Sequence, residues 1–328
     1  MTASEKNTFR LSATDRGIRA ASSLLAQGGL VAFPTETVYG LGCDARNDRA
    51  VAGVYAAKGR PSFNPLIIHV PDTASAEAFA DFTPRALDLA QAFWPGPLTL
   101  ILPRKPESSI SPLASGGLPT VAIRIPAHPL ARKLLAAFGG PVAAPSANPS
   151  GRISPSNADH VMEGLAGRID AVLDGGPCAV GLESTILDLT NETPILARPG
   201  GIPVEALEKA LGTPLAAHGT STGITAPGQL SSHYAPGAAL HWPQSPVHPA
   251  DALWLAFGPL GTRRGLTLSH SGDLAEAAAN LFGHMHALDK LAAEQGQTSI
   301  LLDKIPETGL GLAINDRLRR ASAPRDDA

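Results

Sequence analysis

Apolar residues recur at helical spacing over 15–27, where Ile18, Ala21, Leu24 and Leu25 share one face and Gly28-Gly29 ends the run. The block Leu30-Val31-Ala32-Phe33 then reads as a short buried strand. Asn47 or Asp48 is placed to cap a helix running toward Ala57, and 66–70 reads as a strand. Thr83-Pro84 opens a helix reaching about Phe93, because proline is tolerated in a first turn. Strands follow at 98–102 and 121–125, and His128-Pro129 starts a helix stopped by Gly139-Gly140. A strand at 142–144, a helix at 156–166 and strands at 169–173, 185–189 and 195–197 complete the region. Helices alternate with strands, yet some strands succeed one another directly, so an α/β fold with a mixed sheet is predicted.

Between 212 and 237 the periodicity lapses into a polar stretch rich in Gly, Ser, Thr and Pro, which reads as a linker. Beyond it, strands are predicted at 252–257, 266–268 and 299–302, with helices at 273–294 and 312–321. Apolar residues Leu274, Ala278, Leu281, Met285, Leu288 and Leu291 mark the longer helix. The expected organisation is a first domain over 1–211, a linker or lid over 212–237, and a small Rossmann-like α/β domain over 238–328.

Composition narrows the function classes. A net charge of −3 supplies no global basic field for duplex nucleic acid, so stable nucleic-acid binding is not expected. The two cysteines, Cys43 and Cys178, lie far apart without a CxxC, which suits a reducing compartment and argues against a zinc or disulfide framework. Residues 1–10 are polar, and no apolar run reaches membrane-spanning length; a cytoplasmic protein without membrane attachment is expected. The 33 glycines and 30 prolines suggest many rigid turns and close backbone approaches, an architecture that builds clefts.

Three segments carry candidate chemistry. Pro34-Thr35-Glu36-Thr37-Val38-Tyr39-Gly40-Leu41-Gly42 follows a strand, where α/β proteins place binding loops, and its hydroxyls could orient a small polar substrate. It equally fits a glycine-rich turn with capping threonines. In Lys58-Gly59-Arg60-Pro61, proline disfavours helix at Arg60, so the preceding helix should end near Ala57. If the chain then runs extended, Lys58 and Arg60 project to one side, and two adjacent cations suggest a polyphosphate or carboxylate between them. A solvated helix end with cations favoured by the dipole is the alternative. Asn64 and His69 follow within reach; a lone strand histidine is more often packed than functional. Ala144-Pro145-Ser146-Ala147-Asn148-Pro149-Ser150-Gly151 again follows a strand and could bring hydroxyls and N–H groups to phosphates. Gly181-Leu182-Glu183-Ser184-Thr185 and Arg198-Pro199-Gly200-Gly201 are suggestive only together with these.

Common signals are absent: there is no GxxxxGK[ST] loop, no full dinucleotide fingerprint and no HExxH. His284-Met285-His286 points to different faces of a helix and reads as surface or packing, and no Ser–His or Cys–His pairing is legible.

Taken in order, these segments resemble the YrdC-type L-threonylcarbamoyladenylate synthases. The matching stretches are PTETVYGLG at 34–42, KGRP at 58–61, NPLIIH at 64–69, WPGPLTL at 94–100, VAIRIPAHP at 121–129, APSAN at 144–148, GLESTI at 181–186 and LARPG at 196–200. APGQLSSHYAP at 226–236 and the extra α/β domain resemble the long, two-domain form, so the similarity covers nearly the whole chain. The resemblance implies a twisted mixed sheet with a large concave cleft, and a reaction joining L-threonine, bicarbonate and ATP into threonylcarbamoyl-AMP and diphosphate. The product would be handed to a tRNA threonylcarbamoyltransferase.

Carried over by position, the resemblance implies that Thr35, His69, Arg124, Ala144 and Ser184 hold threonine and bicarbonate. Lys58 and Arg60 would face the triphosphate and the reacting carboxylates, with Mg²⁺ accompanying ATP. Ser62, Thr120, Ser146, Asn148, Ser154 and Arg198 would line the nucleotide pocket, and His233 and Tyr234 would fold over it as a lid. One departure stands before that lid: Gln229, Leu230, Ser231 and Ser232 occupy positions where the long form often has basic and aromatic residues. Two rival readings remain open. One is a carbamoyl-adenylate-forming carbamoyltransferase-type enzyme, whose additional zinc-finger segments are not found. The other is a non-catalytic RNA-binding module, which the net charge of −3 and the lack of a stacking aromatic cluster oppose.

Overall fold

Helices begin where the sequence supplies caps. Thr14, Asn47 and Thr83 each accept hydrogen bonds from the first-turn amides behind them. The computed structural model describes residues 6–217, 227, 232–242 and 252–324. In chain order the first region contains β1 (Phe9–Ser12), α1 (Asp15–Ala26), β2 (Val31–Phe33), β3 (Gly40–Asp44), α2 (Asp48–Lys58) and β4 (Ile67–His69). It continues through α3 (Thr73–Glu77), α4 (Pro84–Phe93), β5 (Leu98–Pro103), β6 (Thr120–Arg124), α5 (Pro129–Phe138) and β7 (Val142–Ala143). Last come α6 (Ala158–Leu165), β8 (Ala171–Asp174), β9 (Thr185–Asp188), β10 (Ile195–Arg198), α7 (Val204–Leu211) and β11 (Ala216–Ala217).

Its strands form one mixed sheet in the order β1-β8-β2-β3-β7-β4-β6-β5-β9-β10-β11. The α/β fold with a mixed sheet is therefore the one the pattern predicts. β1, β3, α3 and α7 are additions, and β11 carries the large sheet past residue 211.

Strand alternation decides where a site can form. On β4, β5, β6 and β9, the residues Ile68, Leu100, Ile123 and Leu187 belong to the main apolar core. The opposite face carries His69 beside Arg124 on adjacent strands, and Thr99 beside Ile186. A register shift between Leu196 and Arg198 sets Arg198 opposite Ile186, so this bulge delivers the guanidinium to the same polar face. A small apolar cluster of Ile67, Ile101, Ala122, Ile186 and Ala197 floors it.

The second region comprises β12 (Ala239–His241), β13 (Leu253–Ala256), β14 (Arg264–Thr267), α8 (Leu274–Glu294), β15 (Ser299–Leu302) and α9 (Leu310–Ser322). Its four strands are all parallel, in the order β12-β15-β13-β14. The apolar core of this region also takes in Val38, Ile153, Leu182 and Tyr234. Met285 lies in that core, while the neighbouring His286 ring stacks on His160 of α6 at 3.8 Å. The second sheet is thus packed directly against loops that border the polar face of the first.

Candidate active site

The turn between β2 and β3 is tied by its own hydroxyls. Thr35 Oγ1 lies 2.7 Å from Thr37 Oγ1 and 2.7 Å from the Val38 carbonyl, and it accepts from the amides of Thr37 and Val38. Arg124 reaches this turn from the end of β6, donating to Thr37 Oγ1 at 2.9 Å and to Glu36 Oε1 at 2.7 Å. Glu36 Oε2 in turn accepts from the Ala127 amide at 3.0 Å, so the carboxylate fixes the guanidinium plane.

Lys58 is the last residue of α2, one residue beyond the expected end. The segment after it is not extended. Gly59 adopts a left-handed conformation (φ 60°) and reverses the chain, and this turn rather than strand alternation lets both cations face inward. Lys58 Nζ donates to the Ser146 carbonyl at 2.6 Å and to the Asn148 carbonyl. Arg60 donates to Asn64 Oδ1 at 2.6 Å and to the Pro65 carbonyl at 3.1 Å. Arg198 donates to the Ser184 carbonyl at 2.8 Å and to the Pro227 carbonyl at 3.1 Å.

Lys58, Arg60 and Arg198 are buried, and among the described residues none has an ion-pair partner. Burial first, then the Arg60 charge, pulls the Lys58 ammonium well below its usual range, and burial pulls Arg60 down to about 10. Burying a lone cation costs several kcal/mol. Three together are sensible only around an anion.

These groups surround a partly open cavity lined by the polar face of the sheet and its loops. Its walls bring together Thr35, Arg60, His69, Arg124, Ala144, Ser146, Ser184, Arg198, His233 and Tyr234 from the sequence-derived set. Lys58 and Asn148 sit immediately behind, joined to the 145–148 loop by the lysine's bonds; Asn148 Oδ1 and His233 Nδ1 are buried without partners. Burial, then the Arg124 charge, lowers His69 to about 3, so its ring is neutral. Three further residues of that set stand off the wall. Ser62 is exposed, Ser154 is buried behind it and bonded to Glu183, and Thr120 shares the Arg124 face at the other end of β6, about 13 Å along the strand.

His233 and Tyr234 close one side. The Ala235 amide donates to the Gly151 carbonyl at 2.8 Å, and the His233 amide to the Arg320 carbonyl at 3.1 Å. Linker residues 218–226 and 228–231, among them Gln229, Leu230 and Ser231, lie outside the described residues. Sequence reasoning gave no role to Glu36, Glu183 or Arg317, all buried at or behind the wall. Arg317 had a legible signal, because it follows Ala313 and Ile314 by four and three residues on the apolar stripe of α9. A Ser–His contact does exist: Ser156 Oγ lies 3.3 Å from His160 Nδ1, at the start of α6 and off the cavity wall.

Among the described residues no three His, Cys, Asp or Glu side chains form a metal-binding group. The two carboxylates at the cavity are already engaged by arginines. This donor set offers no all-protein cage for Mg²⁺.

Residues 23–200 match the Sua5/YciO/YrdC family model described as telomere recombination, and residues 202–323 match the threonylcarbamoyl-AMP synthase C-terminal domain. The threonylcarbamoyl-AMP synthase of Pyrococcus abyssi is 43% identical, over 94% of both chains. That of Bacillus subtilis is 41% identical, over 97% of this chain and 96% of its own. The crystal structure of P. abyssi Sua5 complexed with L-threonine superposes with a TM-score of 0.86 at 39% identity, covering 96% of this chain and 97% of that one.

Proposed function

The chain belongs to the threonylcarbamoyl-AMP synthase family in its long, two-domain form, and on that premise we propose that it condenses L-threonine, bicarbonate and ATP into threonylcarbamoyl-AMP, diphosphate and water. The observation that carries this reading is the cluster of buried cations Lys58, Arg60 and Arg198, with no carboxylate within ion-pair distance among the described residues, beside the Arg124–Thr37 corner.

The reaction assembles three anionic reactants whose mutual repulsion is the main obstacle, so fixed cations and donors supply most of the catalysis. Arg124, oriented by Glu36, is suited to the threonine carboxylate, and the neutral His69 lies next to it without adding charge. The threonine amine adds to bicarbonate with loss of water, giving an N-carboxylate. That carboxylate attacks the α-phosphorus, and the bond to the bridging oxygen of diphosphate breaks. Lys58, Arg60 and Arg198 offset the charge that collects on the leaving diphosphate. No side-chain nucleophile takes part. Mg²⁺ would enter with ATP, held through the phosphates, and would offset further negative charge on them.

The linker's His233 and Tyr234 line the cavity wall, which supports a lid over 212–237 between domains spanning 1–211 and 238–328. Among the described residues no helix is long and apolar enough to cross a membrane. We place the enzyme in the cytoplasm, passing its short-lived product to a tRNA threonylcarbamoyltransferase without itself holding RNA.

Diphosphate release by the purified full chain, measured with ATP and with threonine and bicarbonate each withheld in turn, tests the reading. Release should require both. ATP turnover indifferent to threonine, or undiminished in carbonate-free buffer, would overturn it.

A further inference from the structure

Glu183 lines the cavity and Glu36 lies behind it, between the wall residues Thr35 and Thr37; each would repel a triphosphate if left bare. Glu36 is neutralised from within the first region by Arg124. Glu183, on the cavity wall next to Ser184, is neutralised from the second. Arg317 of α9, fully buried, donates through Nε to Glu183 Oε2 at 2.8 Å and through Nη2 to the Pro199 carbonyl at 2.9 Å. The other Glu183 oxygen accepts from Ser154 Oγ at 2.7 Å. Burial alone pushes the Glu183 carboxyl up, but Arg317, Arg198 and these hydrogen bonds together hold it at about 2, so it stays charged.

The same guanidinium lies 5.2 Å from the Tyr234 ring centroid. Tyr234 has φ 65°, a left-handed conformation that a bulky side chain adopts only when its surroundings hold it. Phe282 of α8 stacks on it at 5.5 Å. A single buried side chain thus meets the wall carboxylate, the 199 backbone and the lid tyrosine; its Nη1 also donates to Asp316 Oδ2 at 2.5 Å, a carboxylate off the cavity wall that Arg320 holds as well.

We propose that Arg317 is a positioning residue of the ATP site: by neutralising Glu183 and supporting Tyr234 it makes the second domain part of the nucleotide pocket rather than an accessory. This rests on the reading of the cavity as an ATP-dependent synthase site. Removing Arg317 leaves an anion facing the triphosphate; removing both charges does not. That asymmetry separates a charge-setting role from a merely structural one.

The test uses the full chain and three variants: Arg317→Met, Arg317→Lys and the pair E183Q/R317M. MgATP affinity is measured by calorimetry, the KM for threonine and kcat by diphosphate release, and folding by thermal unfolding. Arg317→Met should weaken ATP binding by about tenfold or more while the threonine KM moves by less than about threefold. Arg317→Lys and E183Q/R317M should both stay within about threefold of the wild type for ATP. Wild-type ATP affinity in Arg317→Met, or a double variant as impaired as the single one, overturns the proposal. Should Arg317→Met not fold, the double variant decides: folded with near-wild-type affinity it supports the proposal, and unfolded or equally weak it overturns it. A wild type that binds ATP without threonine-dependent turnover would instead sink the functional reading and leave Arg317's part in ATP binding standing.

Discussion

Lys58 and Arg60 show how a charge too costly to bury becomes affordable in a site. Each is held by neutral acceptors, carbonyls and an amide oxygen, which orient the cation without cancelling it. On the proposed assignment, a guanidinium placed this way would strengthen most where negative charge develops, on the departing diphosphate, and little at a threonine carboxylate held by Arg124. Arg60→Ala is therefore expected to lower kcat by about a hundredfold or more while the threonine KM changes by less than about threefold. Steady-state kinetics at saturating ATP check this; a variant losing threonine affinity and turnover in parallel would reassign Arg60 to threonine.

Among elements, the loop over 181–184 depends on how closely α8 approaches it. Gly181 has φ 71°, and a Cβ there would lie 2.3 Å from the Ala278 carbonyl oxygen, a backbone atom that cannot swing aside. Gly181→Ala combines left-handed strain with a clash, so a loss of about 2–4 kcal/mol is expected in denaturant unfolding, with weaker ATP binding because Glu183 and Ser184 ride on the same loop. Unchanged stability would mean that α8 does not bear on it. This contact explains what was legible beforehand. The long helices of the second domain, the capped helices and the strand–loop motifs at 34–42 and 144–151 were readable because period and punctuation are local. β3 was missed because its glycines, Gly40 and Gly42, weaken a strand signal; Gly42 is required by tertiary packing, since a Cβ there would meet Phe33 at 2.7 Å. The end of α2 was misplaced by one residue because the left-handed turn at Gly59, not the proline at 61, sets it. Arg317 stood out on its apolar stripe, but its pairing with Glu183 was beyond reach because it spans 134 residues.

Across the whole molecule, the two domains share histidines, buried at 69 and 233 and half-buried at 286, whose surroundings favour the neutral ring. His69 and His233 are held at about 3 and His286 at about 4, in each case chiefly by burial. The unfolded chain binds a proton on each near pH 6.5. Between these values the unfolded state carries more protons, so stability rises with pH across that window and is lost as pH falls below about 6.5. Glu183, held at about 2, acts with the same sign below the ordinary carboxylate range. The His286–His160 stack is the most telling case, because it joins α8 to α6 across the interface. The His160 charge opposes protonation of His286, while Glu163 and Asp289 favour it, and Asp159 favours protonation of His160. A half-buried histidine held this low forfeits up to about 2 kcal/mol between pH 7 and pH 5. His286→Phe keeps a ring in the stack but has nothing to protonate. The thermal midpoint of the wild type should therefore fall more steeply from pH 7 to pH 5 than that of His286→Phe, whereas parallel profiles for the two proteins would show that this stack does not govern how acid parts the domains.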